Sequence, residues 1–270
     1  MPAHQKPFGQ TIITDYKGNR IQAKTHGQSE LIKAIDKYDI LFVNGPAGTG
    51  KTFLATCKAI RFLQENVYER IVLTRPAVES GEELGFLPGS LDDKIAPYMK
   101  PLFDSIVKIK GKKADPLNQN QPQQSHPINV TKRRSKKQQA QGDKKSSEIE
   151  DWSKKVEVAP LAYMRGSTFD NSFIIMDEAQ NVTPSQMKLF LTRLGNNSKV
   201  IITGDASQSD LDRRIGSGFT HAQKLLNDVD GIGFVTMDEN DIVRHKLVKD
   251  IILKYDKEDS YRNNVYSNRD

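Results

Sequence analysis

Gly45-Pro-Ala-Gly-Thr-Gly-Lys51-Thr52 places three glycines, a lysine and a hydroxyl within eight residues. The spacing G-x-x-x-x-G-K-[ST] forms a phosphate cradle when it follows a buried strand and opens a helix. Glycines 45, 48 and 50 permit the backbone angles that turn successive N–H groups inward, with Pro46, Ala47 and Thr49 completing the bend. The helix start adds its partial positive charge. In such a loop Lys51 reaches the β- and γ-phosphates of a nucleoside triphosphate, and the Thr52 hydroxyl binds Mg²⁺.

A second group of candidates ends another apolar run, Phe173-Ile-Ile-Met-Asp177-Glu178. Asp177 would hold the magnesium through water or Thr52, and Glu178 would polarise the attacking water. The competing reading is an ordinary acidic corner between a strand and a helix. An acid beside the metal-holding aspartate favours triphosphate hydrolysis over transfer to a small molecule. Val200-Ile-Ile-Thr-Gly204-Asp205-Ala-Ser-Gln208 repeats the pattern of buried strand and polar end. The Gln208 amide would bond both γ-phosphate and lytic water, or the stretch is simply a capped turn. Gln28 stands where its amide would read an adenine edge, or is merely solvated. Arginines 75, 165, 213, 214 and 244 follow predicted strands, and one of them would neutralise transition-state charge. Arg244, in Asp241-Ile-Val-Arg-His245, is the foremost of these.

The elements that must hold these groups are legible as short continuous apolar runs. Asp39–Asn44, Ile71–Thr74, Ser172–Met176, Lys199–Thr203 and Ile232–Thr236 read as strands covered on both faces, as in a parallel sheet. Helices are expected at Glu30–Tyr38, Thr52–Leu63, Pro184–Leu194, Ser217–Asn227 and Asp241–Tyr255. Strand and helix in alternation give an α/β fold, a mostly parallel sheet with helices on both faces. The acids and the phosphate loop then meet at the carboxyl ends of the strands.

The chain has 270 residues and a single cysteine, Cys57, which excludes an internal disulfide and a cysteine-based metal cluster. No run approaches the roughly 18 apolar residues of a membrane span, and Met1–Gln10 lacks a signal-peptide core, so a cytoplasmic location and no membrane partner are expected. Between Lys108 and Lys155 stand 13 Lys and Arg against five acids, a local charge of +8 that exceeds the whole-chain +6, so the remainder carries −2. Within that stretch, about 111–147 is rich in Gln, Asn, Lys and Pro without periodicity, the composition of a disordered insert. It would contact nucleic-acid phosphates, or serve as a solvated tether. One domain is expected over 28–256, with an N-terminal extension at 1–27 and a polar tail at 257–270.

Taken together these segments resemble the PhoH family, the phosphate-starvation-inducible-type P-loop ATPases. The resemblance rests on Gly45–Thr52, Thr74–Gly89 (TRPAVESGEELGFLPG), Ala159–Gly166 (APLAYMRG), Phe173–Gln180 with its DEAQ, Thr203–Gln208 and Val243–His245. It implies a RecA-like core similar to one domain of superfamily 1 helicases. It also implies ATP hydrolysis with Mg²⁺, coupling to RNA or single-stranded nucleic acid, and a ring-like homo-oligomer such as a hexamer. Ser167 departs from the arginine common at that place in the family, and the stretch ahead of the core is too short for an appended nuclease domain. With one phosphate loop per chain, a complete site would draw Arg244, Arg213 or Arg214 from a neighbouring subunit. The alternatives to a nucleic-acid motor are an ATP-dependent regulatory switch without translocation and a small-molecule kinase.

Overall fold

The computed structural model describes residues 8–76, 91–111, 155–161, 164–211, 215–244, 247–248, 251 and 254–255. A two-stranded antiparallel hairpin, β1 (Phe8–Thr14) and β2 (Arg20–Ala23), leads into α1 (His26–Lys37). Then follow β3 (Ile40–Asn44), α2 (Lys51–Gln64), β4 (Arg70–Thr74), α3 (Leu91–Lys110), β5 (Val156–Val158) and β6 (Ser172–Met176). The order continues with α4 (Pro184–Leu191), β7 (Lys199–Gly204), α5 (Gly218–Leu225) and β8 (Ile232–Thr236). The six strands β3–β8 form one sheet in the order β5-β4-β6-β7-β3-β8, and every pairing is parallel. This is a P-loop NTPase fold of the RecA-like type, as the resemblance implies.

The continuous apolar strands are read by alternation. Leu41, Val43, Ile71, Leu73, Phe173, Ile175 and Ile201 point to the face packed by α1, α2 and α3. Their neighbours Phe42, Val72, Ile174, Met176, Val200 and Ile202 point to the face packed by α4 and α5 through Met187, Phe190, Phe219 and Ala222. Successive side chains of a strand leave on opposite sides, so a strand with both faces covered must be apolar throughout. α4 begins at a capping box: the Thr183 hydroxyl accepts from the Gln186 N–H, the Gln186 side chain accepts from the Thr183 N–H, and Pro184 follows. Among the described residues no helix is long and apolar enough to cross a membrane.

The structure adds to or departs from the sequence expectations in four places. Residues ahead of Gln28, expected as an extension, contain the hairpin, whose Ile12 and Ile13 lie in the core cluster, and α1 starts at His26. Gly9, Thr11 and a register shift between Phe8 and Ile13 blur the strand period there. α3 has no counterpart among the expected helices, because Pro97 and Pro101 read as breakers. The helix carries both, and Met99, Leu102, Phe103, Ile106 and Ile109 bury its apolar stripe. β5 has only three residues, too few to register as a pattern. The expected helix over Asp241–Tyr255 is preceded by a 3-10 turn, Glu239–Asp241, and helical residues appear at 247, 248, 251, 254 and 255. The expected insert beyond Gly111 and the polar tail lie outside the described residues.

Cys57 is fully buried on α2, and burial pushes its thiol up to about 12. The thiol is therefore expected to resist iodoacetamide in the native protein at pH 8 and to react only after denaturation. Rapid native labelling, read by mass spectrometry, would contradict this packing.

Candidate functional site

β3 ends at Asn44, the chain bends through residues 45–50, and α2 begins at Lys51. Gly50, the N-cap, is left-handed (φ 88°) and supplies no side-chain cap, so the first N–H groups of α2 keep their donor capacity for an anion. Gly48 is also left-handed (φ 89°), and a Cβ there would lie 2.6 Å from Arg244 Nε. The bend is braced from several sides. The Thr49 hydroxyl donates to the Pro46 carbonyl (3.0 Å), Gln28 Nε2 donates to the Thr49 carbonyl (2.9 Å), and the Val243 N–H donates to the Gly48 carbonyl (3.0 Å). Lys51 Nζ donates back to the carbonyls of Gly45 (2.5 Å) and Pro46 (3.0 Å). Burial lowers the Lys51 ammonium from its usual range, opposed by the negative charges of Asp205, Asp177 and Glu178.

The acids come from β6, which is separated from β3 by β7. Asp177 Oδ1 spans that gap, accepting from the Thr52 hydroxyl on α2 (2.6 Å) and from the Thr203 hydroxyl on β7 (2.6 Å). Glu178 follows with a left-handed backbone (φ 55°, ψ 39°), a conformation that costs a residue with a Cβ about 1 kcal/mol or more. Its carboxylate accepts from Arg75 Nη2 (3.3 Å) and from Gln180 Nε2 (2.7 Å). Gln180 is buried, and its Oε1 accepts from the Asp205 N–H (3.1 Å), so one amide joins the tips of β6 and β7.

Asp205 Oδ1 accepts from the Ser207 N–H (3.0 Å) and hydroxyl (2.6 Å), which caps a turn, and that turn delivers Gln208 to the cleft. Asp205 Oδ2 is buried without a hydrogen-bond partner. Oxygen donors on Asp177 and Thr52 are the hard ligands that a hydrated Mg²⁺ takes, and the unpartnered Asp205 oxygen in the same cleft lining leaves an acceptor that would suit a hydrated ion. Among the described residues no three His, Cys, Asp or Glu side chains cluster into a cage. Mg²⁺ held by one or two carboxylates plus phosphates requires none.

The cleft, about 660 Å³, is lined by Ala47, Gly48, Gly50, Lys51, Thr52, Asp177, Glu178, Gln208 and Arg244 among others. Of the sequence candidates the structure therefore brings together the phosphate loop, both acids, Gln208, Gln28 and Arg244. The Gln28 amide accepts from the Lys24 N–H (2.8 Å) as well as donating to Thr49, which makes it a brace of the loop. Arg244 lies against Gly48 of its own chain and lines this cleft. Arg75 pairs with Glu178, and Arg165 is exposed on a turn. Arg213, Arg214 and residues 77–89 of the Thr74–Gly89 segment lie outside the described residues. Ser167 lies in the turn after Met164, and its carbonyl accepts from Arg193 Nη1 (3.3 Å). Sequence reasoning passes over Thr203 and Gln180. Each is a polar residue ending or following a strand buried throughout, and that position is the signal by which the sequence marks them.

The family model described as PhoH-like protein matches residues 20–256. A PhoH-like protein of Bacillus subtilis (strain 168) is 44% identical over 251 residues, covering 93% of this chain and 69% of that protein. Protein PhoH of Escherichia coli (strain K12) is 37% identical over 235 residues, covering 87% of this chain and 58% of that protein. Among solved structures, the UvsW helicase from bacteriophage T4 aligns with a TM-score of 0.40 and 12% identity, covering 84% of this chain and 64% of that one. On the match across residues 20–256 and the identity to these relatives, the chain belongs to the PhoH family.

Proposed function

We propose that this protein binds ATP with Mg²⁺ and hydrolyses it, that hydrolysis is coupled to RNA or single-stranded nucleic acid, and that it works as a homo-oligomer. The observation that carries the first part is the double acceptance at Asp177 Oδ1, with Thr52 and Thr203 both at 2.6 Å and Glu178 next in the chain. Thr52 and Asp177 would hold Mg²⁺, which would supply positive charge against the phosphate oxygens.

The remaining roles belong to the chain's own groups. Lys51 exchanges the carbonyls of Gly45 and Pro46 for phosphate oxygens, which restores a full charge partner to a partly desolvated ammonium. The loop N–H groups and the start of α2 bind the α- and β-phosphates. Glu178, aimed by Arg75 and Gln180, accepts the proton of the attacking water at a carboxylate oxygen. Gln208 orients that water, and Arg244 beside Gly48 offsets charge developing on the phosphates.

Nucleic-acid coupling is supported by the +8 segment between Lys108 and Lys155, whose charge suits counterion-releasing phosphate contacts. Self-association is supported by exposed apolar side chains Val243, Val248, Ile251 and Tyr255, which follow the cleft at helical spacing from 247 onward.

Glu178→Gln keeps shape but removes the base, so turnover should fall more than tenfold while ATP binding persists. A wild type with no ATPase activity, or a fully active variant, would end this reading. Stimulation of wild-type turnover by single-stranded RNA is the expected result for coupling, and indifference would leave a nucleotide-timed switch. Thr203→Val keeps the strand but deletes one Asp177 donor, and the Mg²⁺ concentration for half-maximal activity should rise about tenfold. Arg244→Ala mixed with Glu178→Gln protein should remain inactive if Arg244 serves its own cleft. Recovery of activity on mixing would place the arginine in a neighbour's site.

A further inference from the structure

The cleft reaches well beyond what a triphosphate fills. Its γ end is fixed by Lys51, Asp177 and Glu178. The α-phosphate therefore lies at the other end of the loop, over the first turn of α2, where Phe53 follows Thr52. From there the same cavity continues between β2, which contributes Ile21 and Gln22, and a face of α3 carrying Ser105 and Lys108. Phosphate binding gives these four residues no task.

Their chemistry is of another kind. Phe53 and Ile21 are half-buried and both pack against the core while lining the cavity, which gives it an apolar floor. Lys108 Nζ lies 4.7 Å from the Phe53 ring centroid, so that face of the ring is turned to the cavity with the end of one long, flexible side chain over it. Gln22 Nε2 donates to the Thr11 hydroxyl (3.1 Å), which turns Oε1 into the acceptor of that amide. Gln28, by contrast, is engaged with Lys24 and Thr49.

The geometry points to this extension as the base and ribose half of the nucleotide site, with Phe53 as stacking platform and Gln22 as reader of the base edge. It rests on the phosphate-loop reading given under Proposed function and deepens it. Adenine presents an amine donor where guanine presents a carbonyl acceptor, so an oxygen of Gln22 selects the adenine nucleotide. An aromatic face takes a flat base with little demand on its identity, so Phe53 supplies affinity and Gln22 supplies choice.

Calorimetry on the full chain with MgATP, MgGTP and Mg-tripolyphosphate tests this. Phe53→Leu preserves apolar packing but removes the ring, and should weaken MgATP about tenfold with Mg-tripolyphosphate unchanged. Gln22→Ala should bring the MgATP and MgGTP affinities within about twofold of each other, again leaving Mg-tripolyphosphate unchanged. Equal losses for all three ligands, or no loss in either variant, would overturn the assignment. A wild type that binds Mg-tripolyphosphate as tightly as MgATP would overturn it too while leaving the phosphate loop intact. A wild type that binds neither would remove the phosphate reading and this half-site together.

Discussion

One carboxylate oxygen ties the machine together. Asp177 Oδ1 receives hydroxyls from α2 and from β7 while standing at the tip of β6, so three elements distant in sequence are held to one point. Hydrogen bonds to an ionised acceptor contribute about 1.5–3 kcal/mol each, and losing the acceptor would leave the Thr203 hydroxyl only the Met176 carbonyl (3.2 Å) and take from Thr52 its short charged partner. The phosphate loop, which belongs to α2, is thereby registered against the acids, which belong to β6. Without that registration a cradle and a pair of acids would exist but would not face the same phosphate.

Around that point the protein accepts local costs that a purely structural corner would avoid. Glu178 sits in a left-handed conformation, Asp205 buries an oxygen without a partner, and Lys51 is desolvated against two carbonyls. The unmet bonding at Asp205 and Lys51 is of the kind that a bound phosphate group and its ion would relieve. The Glu178 backbone is strain of the kind that functional sites retain. Gln180 deepens the connection. By bonding both Glu178 and the Asp205 N–H, it makes the orientation of the Glu178 carboxylate depend on the tip of β7, the strand that also leads to Gln208. A shift of that tip would therefore be felt at Glu178.

The two apolar faces of the sheet explain why the tips are free to do this. With α1, α2 and α3 on one side and α4 and α5 on the other, the strand interiors carry the stability and the carboxyl ends carry polar groups. The hairpin and α3 have a double position. They bury Ile12, Ile13, Leu102 and Ile106 in the same core and also wall the far end of the cleft. Packing and ligand binding are thus joined in the elements that sequence reading found hardest to see.

The sequence by itself determined the phosphate loop, the Asp177–Glu178 pair and the buried strands that carry them. Those signals lie within windows of five to eight residues, where glycine placement and unbroken apolar runs are compatible with few local structures. It did not disclose α3, whose prolines mimic a break although Met99 to Ile109 keep the helical period, nor the hairpin, whose strand period is interrupted by a bulge. Tertiary structure alone decided that β7 lies between the loop strand and the acid strand, which makes Thr203 a partner of Asp177. It alone set Gln180 between two strand tips and laid Arg244 on its own Gly48. The reason is that strand order arises from many weak contacts between distant segments, and no short stretch of chain records which neighbour it will meet.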